Sequence, residues 1–187
     1  MKIPEKIEKP LLLHVCCAPC ASVPFEDLAR ALDYGATGFF YNPNIHPDDE
    51  FDKRKFEVER LAGESGFPCV FTRPDYQAFL EFVRGLESEP EGGKRCMKCF
   101  EMRLSATFKY AEEKGFAFVG TTLSSSPHKN VASINLIGNN FEKDHPGIRF
   151  LEFDFKKRDG FKRGIEICKR FSIYRQRFCG CGFSKNN

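Results

Sequence analysis

Four absences narrow what this 187-residue sequence does. No apolar run is long enough to cross a bilayer. Before His14 the N-terminal segment offers only Leu11, Leu12 and Leu13, too few for the core of a signal peptide. The expectation is a cytoplasmic protein with no membrane partner. There is no Walker loop and no G-x-G-x-x-G; Gly92-Gly93 runs into Lys94-Arg95 without the Ser or Thr of a phosphate cradle. No Ser–His–Asp set carries a recognisable local signature. No repeat, low-complexity tract or linker divides the chain, so a single domain over residues 1–187 is expected.

A strong net charge is also missing. Twenty-nine Lys and Arg against 26 Asp and Glu leave +3, which does not by itself announce a nucleic-acid binder. The charge is uneven, however: residues 142–187 hold 12 basic against 6 acidic side chains, and residues 1–141 hold 17 against 20. A basic C-terminal face suits a phosphate-bearing partner as readily as it suits a plain solvated surface.

What the sequence has in excess is cysteine, nine in all. Structural disulfides are rare in a reducing compartment, so an odd, high count there points to metal binding or thiol redox chemistry.

Apolar patterning alternates between strand and helix. Leu11–Val15 reads as a strand ending in a Cys/Pro cluster. Ser22 is placed to cap a helix with Pro24 in its first turn, running to Leu32. Thr37–Tyr41 is a second strand, stopped by Asn42-Pro43-Asn44. A helix follows Pro47 and stops at Gly66, then a strand over Cys69–Thr72 and a helix from Tyr76 to Glu87. Met97, Phe100, Leu104, Phe108 and Ala111 form the stripe of another helix, closed by Gly115. Phe116–Thr122 is a strand, Val131–Ile137 a short helix ending at Gly138, Ile148–Phe155 an alternating strand, and Phe161–Phe171 a last helix. Strands separated by helices imply an α/β fold: a mostly parallel sheet with helices on both faces. Ligands of such sheets gather beyond the carboxyl ends of the strands.

Seven cysteines fall in three groups: Cys16-Cys17-Ala18-Pro19-Cys20, Cys96-Met97-Lys98-Cys99 and Cys179-Gly180-Cys181. Cys96 and Cys99 open a helix, where the helix N-terminus and nearby Lys94, Arg95 and Lys98 are expected to favour thiolates. With two ligands from the Cys16-Cys17 loop they make a four-thiolate set, suited to zinc or to an iron–sulfur cluster. Cys20, Cys179 and Cys181 are then surplus to a closed structural site, which suggests chemistry. Cys179-Gly180-Cys181 fits a strained, readily reduced disulfide or ligands to a second metal. Cys168 and Cys69 read as ordinary buried thiols. Asn42, Asn44 and His46, at the end of the second strand, are candidates to line a pocket, as are Ser126, His128 and Asn130 beyond a later one. Arg175 and Arg177 are candidates to hold a phosphate, and Lys156, Lys157, Lys162 and Arg163 extend that basic segment.

HVCCAPC, YNPNIHP, RCMKCFEMRL, TTLSSSPHKN and YRQRFCGCGFS, in this order, resemble the QueH-type epoxyqueuosine reductases over nearly the whole chain. The resemblance implies an adenine-nucleotide α-hydrolase-like (HUP) α/β fold. Where many relatives of that fold carry a pyrophosphate loop, this sequence has Cys-Cys-Ala-Pro-Cys, which argues against ATP. It further implies reduction of the epoxide of epoxyqueuosine at the tRNA wobble position to queuosine, the last step of queuosine biosynthesis, without cobalamin and with an external electron donor. A [4Fe–4S] cluster is implied on Cys16, Cys17, Cys96 and Cys99, with Cys179 and Cys181 as the redox-active pair. A further mononuclear iron, held by Cys20 or the tail thiols, is a second implication. The competing readings are a zinc-stabilised RNA-binding module without catalysis and a thiol-based tRNA sulfur-transfer enzyme, which should need the absent ATP loop.

Overall fold

In the computed structural model, residues 10–31 and 35–184 are described. The chain builds one sheet around the strand β1 (Leu11–His14), all four of whose residues are buried. β1 pairs in parallel with β2 (Ala36–Phe40) on one side and β4 (Phe118–Thr121) on the other; β3 (Cys69–Phe71) and β5 (Arg149–Phe150) extend the two flanks. The order is β3-β2-β1-β4-β5, all parallel. Successive strand residues face opposite sides. Leu11 and Leu13 therefore pack with residues of α1 (Ala18–Ala31), α2 (Asp48–Ser65) and α6 (Gly160–Arg170), while Leu12 packs with Phe100, Leu104 and Phe108 of α4 (Lys94–Lys114) and Ile134 of α5 (Val131–Asp144). Each such leucine contributes about 1.5–3 kcal/mol by leaving water. The expected α/β fold with helices on both faces is what forms. No helix among the described residues is long and apolar enough to cross a membrane.

Several boundaries differ from the sequence reading, each for a local reason. α1 starts at Ala18, not at Ser22. Pro19 is the proline that tolerates a helix start, because its missing N–H is among those left unpaired there. Ser22 lies inside and donates back to the Pro19 carbonyl (2.9 Å), and Pro24 interrupts the ladder within the helix. The expected end of this helix at Leu32 lies outside the described residues. α3 (Tyr76–Phe82) is capped by Asp75, whose carboxylate accepts from Gln77 N, but stops five residues early. The following turns are held from α4 by Arg95, which donates to the carbonyls of Leu86, Glu87 and Glu89. α5 continues through Gly138 to Asp144. That glycine is a packing residue, not a stop: a Cβ there would lie 2.5 Å from Cζ of Phe150. β5 spans two residues although Ile148–Phe155 alternates throughout. Past it, Phe153 and Phe155 stack on each other (4.8 Å) and turn into the core.

The chain builds β1, β2 and β3 to one side, then crosses to place β4 on the other side of β1. The crevice between the carboxyl ends of β1 and β4 is thus the point where strand order reverses, the usual ligand position in an open parallel sheet. Cys16 and Thr122 meet there.

Candidate functional site

Cys16 and Cys17 follow β1 after Val15, and Cys20 lies in the first turn of α1. Their three sulfurs lie within 4.8 Å of one another. Cys16 N–H donates to Thr122 Oγ1 (3.0 Å), and the Thr122 hydroxyl donates to Cys16 Sγ (3.3 Å). Gln176 Nε2 donates to Cys17 Sγ (2.9 Å). Hydrogen bonds from the Cys17 and Cys20 thiols hold Cys16 well below the usual thiol range against the effect of burial, with Lys129 and Arg103 adding to the pull. The cost falls on the donors: Cys17 is pushed up to about 12 and Cys20 well above its ordinary value. The triad therefore carries one thiolate solvated by two thiols, a set from which a metal would displace the remaining protons.

These thiols line a cavity of about 240 Å³ together with Asn42, Asn44, Arg177 and Cys179. A narrower cavity of about 30 Å³ adjoins it, lined by Cys96, Cys99, Cys179 and Cys181. Glu91, Arg103, His128, Lys129 and Cys179 border both. The expected thiolate-favouring field at the start of α4 is not what the structure has. Burial pushes Cys99 up to about 12 and raises Cys96. Arg95 is turned to loop carbonyls, and Lys98 to Glu101 (2.7 Å).

The cations come from elsewhere. Arg103, 2% exposed, sits one turn beyond Cys99 on α4. It donates Nη2 to Asn42 Oδ1 (2.6 Å), Nε to His14 Nε2 (3.3 Å) and Nη1 to Cys99 Sγ (3.9 Å). Burial and the Arg103 charge lower His14 to about 3, so the ring is neutral; its Nδ1 lies 2.9 Å from Thr121 Oγ1, and its Nε2 lies 3.2 Å from the Tyr41 carbonyl as well as beside Arg103 Nε. Burial opposes the charges on Arg103 and Lys129, but the surrounding thiols outweigh it: Cys99, Cys16 and Cys179 for Arg103, and Cys179, Cys20, Cys16 and Cys17 for Lys129. Neither cation forms an ion pair with a carboxylate among the described residues. Charges drawn out of water need counter-charges, and besides the lowered Cys16 thiol the groups placed to supply them are thiols that would lose their protons on binding a metal. The donor set and its two cations fit an anionic metal–thiolate centre. Asn44 adds a buried Oδ1 with no hydrogen-bond partner on the cavity wall.

The tail turn is pinned along its backbone. Arg54 of α2 donates to the carbonyls of Cys179 (2.8 Å) and Phe178 (3.1 Å), His46 N–H to that of Gly180 (2.9 Å), and Ser184 N–H to that of Cys181 (2.9 Å). Gly180 has φ +94°, and a Cβ there would lie 2.5 Å from Arg54 Nη1.

The family model described as "Epoxyqueuosine reductase QueH" matches residues 11–187. The chain belongs to the QueH family. QueH-family epoxyqueuosine reductases similar to it include that of Streptococcus pyogenes serotype M1, 40% identical over 186 residues (96% of this chain, 72% of the relative), and that of Acinetobacter baylyi, 40% identical over 185 residues (98% and 84%). The relative from Thermotoga maritima is 34% identical over 179 residues (93% and 89%). Among solved structures, the U34-tRNA thiolase NcsA from Methanococcus maripaludis with its [4Fe-4S] cluster aligns with TM-score 0.54 at 12% identity, covering 95% of this chain and 61% of that one. At that identity the likeness is one of fold, and it agrees with the HUP-like architecture.

Within this QueH-family fold, most of the residues singled out from the sequence border the two cavities. Cys16, Cys17, Cys20, Asn42, Asn44, Ser126 and Arg177 line the first, Cys96, Cys99, Asn130 and Cys181 the second, and His128 and Cys179 both. Asn130 also caps α5, accepting from Ser133 N (3.1 Å). His46 is not on either wall: it is exposed and stacks on Tyr76 (4.4 Å). Arg175 borders a different cavity, and Arg163 is tied to Glu26 and Asp27. Cys168 is buried as expected, and Cys69 half-buried. The sequence points to the Ser124–Asn130 segment that carries Lys129 but not to Arg103 or Arg54. The spacing of Cys99 and Arg103, four residues apart on one helix face, was the available signal for Arg103.

Proposed function

We propose that this chain performs its family's reaction in the thiol-lined cavities, reducing the epoxide of epoxyqueuosine at the wobble position of tRNA to queuosine and water. The observation that carries this reading is the convergence of seven thiols and two cations without carboxylate partners, buried Arg103 and half-buried Lys129, on one strand-end crevice. Cys16, Cys17, Cys96 and Cys99 are the proposed holders of a [4Fe–4S] cluster, leaving Cys20 for a further iron. Such a centre supplies electrons singly and a Lewis acid for an oxygen.

Cys179 and Cys181 supply the stoichiometry. Both epoxide C–O bonds break and a C=C bond forms. The dithiol gives up two electrons and two protons, closing to a disulfide, and the oxygen leaves as water. An external electron donor restores the dithiol. Asn42 and Asn44 offer amides to the substrate, and Lys129, held as an ammonium by the thiols, faces the departing oxygen's developing charge. A cytoplasmic location accords with the free thiols.

Anaerobically prepared protein should be brown, contain iron and sulfide, and form queuosine on an anticodon stem-loop carrying epoxyqueuosine. Serine at Cys16, Cys17, Cys96 or Cys99 should lower both iron and sulfide, whereas Cys20→Ser should lower iron alone. A colourless protein with one tight zinc and no conversion overturns the reading and leaves a zinc-stabilised RNA-binding module.

A further inference from the structure

A third cavity, of about 190 Å³, lies beside the first and shares Cys20, Ser126, His128 and Gln176 with it. Its walls are otherwise mostly apolar: Pro19 and Val23 of α1, Pro127, Phe155, and Phe161 and Ile165 of α6. Phe161 is 52% exposed, a large ring left at the surface of a helix whose other apolar residues are covered. The turn leading into this helix is strained. Arg158 (φ 54°) and Asp159 (φ 57°) are consecutive left-handed residues without glycine's freedom. The next residue, Gly160, allows no side chain, since a Cβ would collide with the Phe155 carbonyl. Strain of this kind concentrates at functional sites.

The charges around this cavity divide into used and unused. Arg163 is paired with Glu26 and Asp27, and Lys157 lies 3.8 Å from Asp154. Arg158, Lys162 and Arg175 are exposed and form no ion pair with a carboxylate among the described residues. An apolar slot with an exposed aromatic ring, with Arg175 on its wall and Lys162 next to Phe161 in sequence, has the chemistry of a nucleotide site: a base stacks on the ring while phosphates meet the cations. Continuity with the thiol cavity says which nucleotide. If the modified wobble base occupies the first cavity, the RNA chain must leave through a shared wall, and the third cavity opens there.

We infer that this third cavity receives the nucleotide adjoining the modified one in the anticodon loop, its base against Phe161 and its phosphate against Lys162 and Arg175. The inference rests on the proposed function and adds the flanking nucleotide to the recognised substrate.

The test uses loaded protein and anticodon stem-loops with 2-aminopurine at either neighbour of the wobble position. Wild-type protein should quench the probe at one neighbour. Phe161→Ala should abolish the quench and weaken stem-loop binding about 5- to 100-fold, as loss of one base stack does. Phe161→Tyr should restore both. Iron, sulfide and kcat of Phe161→Ala should stay unchanged while KM rises. Lys162→Gln and Arg175→Gln should each flatten the slope of log affinity against log salt by about 0.7. If wild-type protein forms queuosine and Phe161→Ala matches it in KM and quench, this inference fails and the proposed function stands. If wild-type protein neither binds nor converts the stem-loop, both fail.

Discussion

Arg103 offers the most discriminating perturbation. Its guanidinium is buried, has only neutral hydrogen-bond partners besides thiols, and lies 3.9 Å from Cys99 Sγ. Two unit charges at that separation interact by about 4 kcal/mol at an effective dielectric of about 20. An electron added to a metal–thiolate centre is delocalised, so about a quarter to a half of this, roughly 1–2 kcal/mol, distinguishes the reduced from the oxidised state. At about 59 mV per tenfold for a one-electron couple, the guanidinium should hold the reduction potential about 40–90 mV higher than it would otherwise be. Arg103→Met removes the charge at similar bulk, and Arg103→Lys keeps it. A redox titration of anaerobically reconstituted protein, followed by electron paramagnetic resonance, should find the Met variant more negative by that amount and the Lys variant in between. A Met variant with full iron and sulfide and an unchanged or higher potential would refute the counter-charge reasoning.

Three further outcomes are expected. Cys179→Ser and Cys181→Ser should each keep the fold and the iron and sulfide content while abolishing queuosine formation on the stem-loop; full activity in the double variant would make these thiols bystanders. Gly180→Ala forces a side chain into a left-handed conformation against Arg54 and should cost about 1–3 kcal/mol, read as a drop in Tm of roughly 2–4 °C per kcal/mol in a domain of this size. Gly138→Ala separates propensity from packing. Helix propensity alone predicts a gain of about 1 kcal/mol, whereas the approach of Phe150 predicts a loss in urea unfolding; a gain would show that the ring moves aside freely.

Elements whose signals are local were legible in the sequence. The stripe from Met97 to Ala111 and the stop at Gly115 specify α4, whose C-cap is Gly115 at φ 74°. Gly66 likewise ends α2. Misreadings arose where one residue type serves two purposes. Pro24 was given the role that Pro19 has, and Gly138 looks like a helix stop but gives way to a neighbouring ring. The alternation of Ile148–Phe155 is real, but tertiary packing of Phe153 and Phe155 outcompetes further strand pairing. Likewise, the grouping of thiols is visible as spacing, but which groups face one another is set by the β1–β4 crossover and cannot be read along the chain. Arg103 is the extreme case: an arginine in an amphipathic helix reads as surface, and only the folded crevice shows it buried against Cys99.

The pinning of the tail turn has a consequence for how fast its thiols can work. All three carbonyls of Cys179-Gly180-Cys181 accept hydrogen bonds, from Arg54, from His46 N–H and from Ser184 N–H. The peptide frame is thereby taken out of the motion, and the cysteines keep only their side-chain torsions. Rotamer changes run on picoseconds to nanoseconds, whereas loops that open and close as bodies take microseconds to milliseconds. Two thiols mounted on such a frame can reorient by side-chain rotation without waiting for their segment to move.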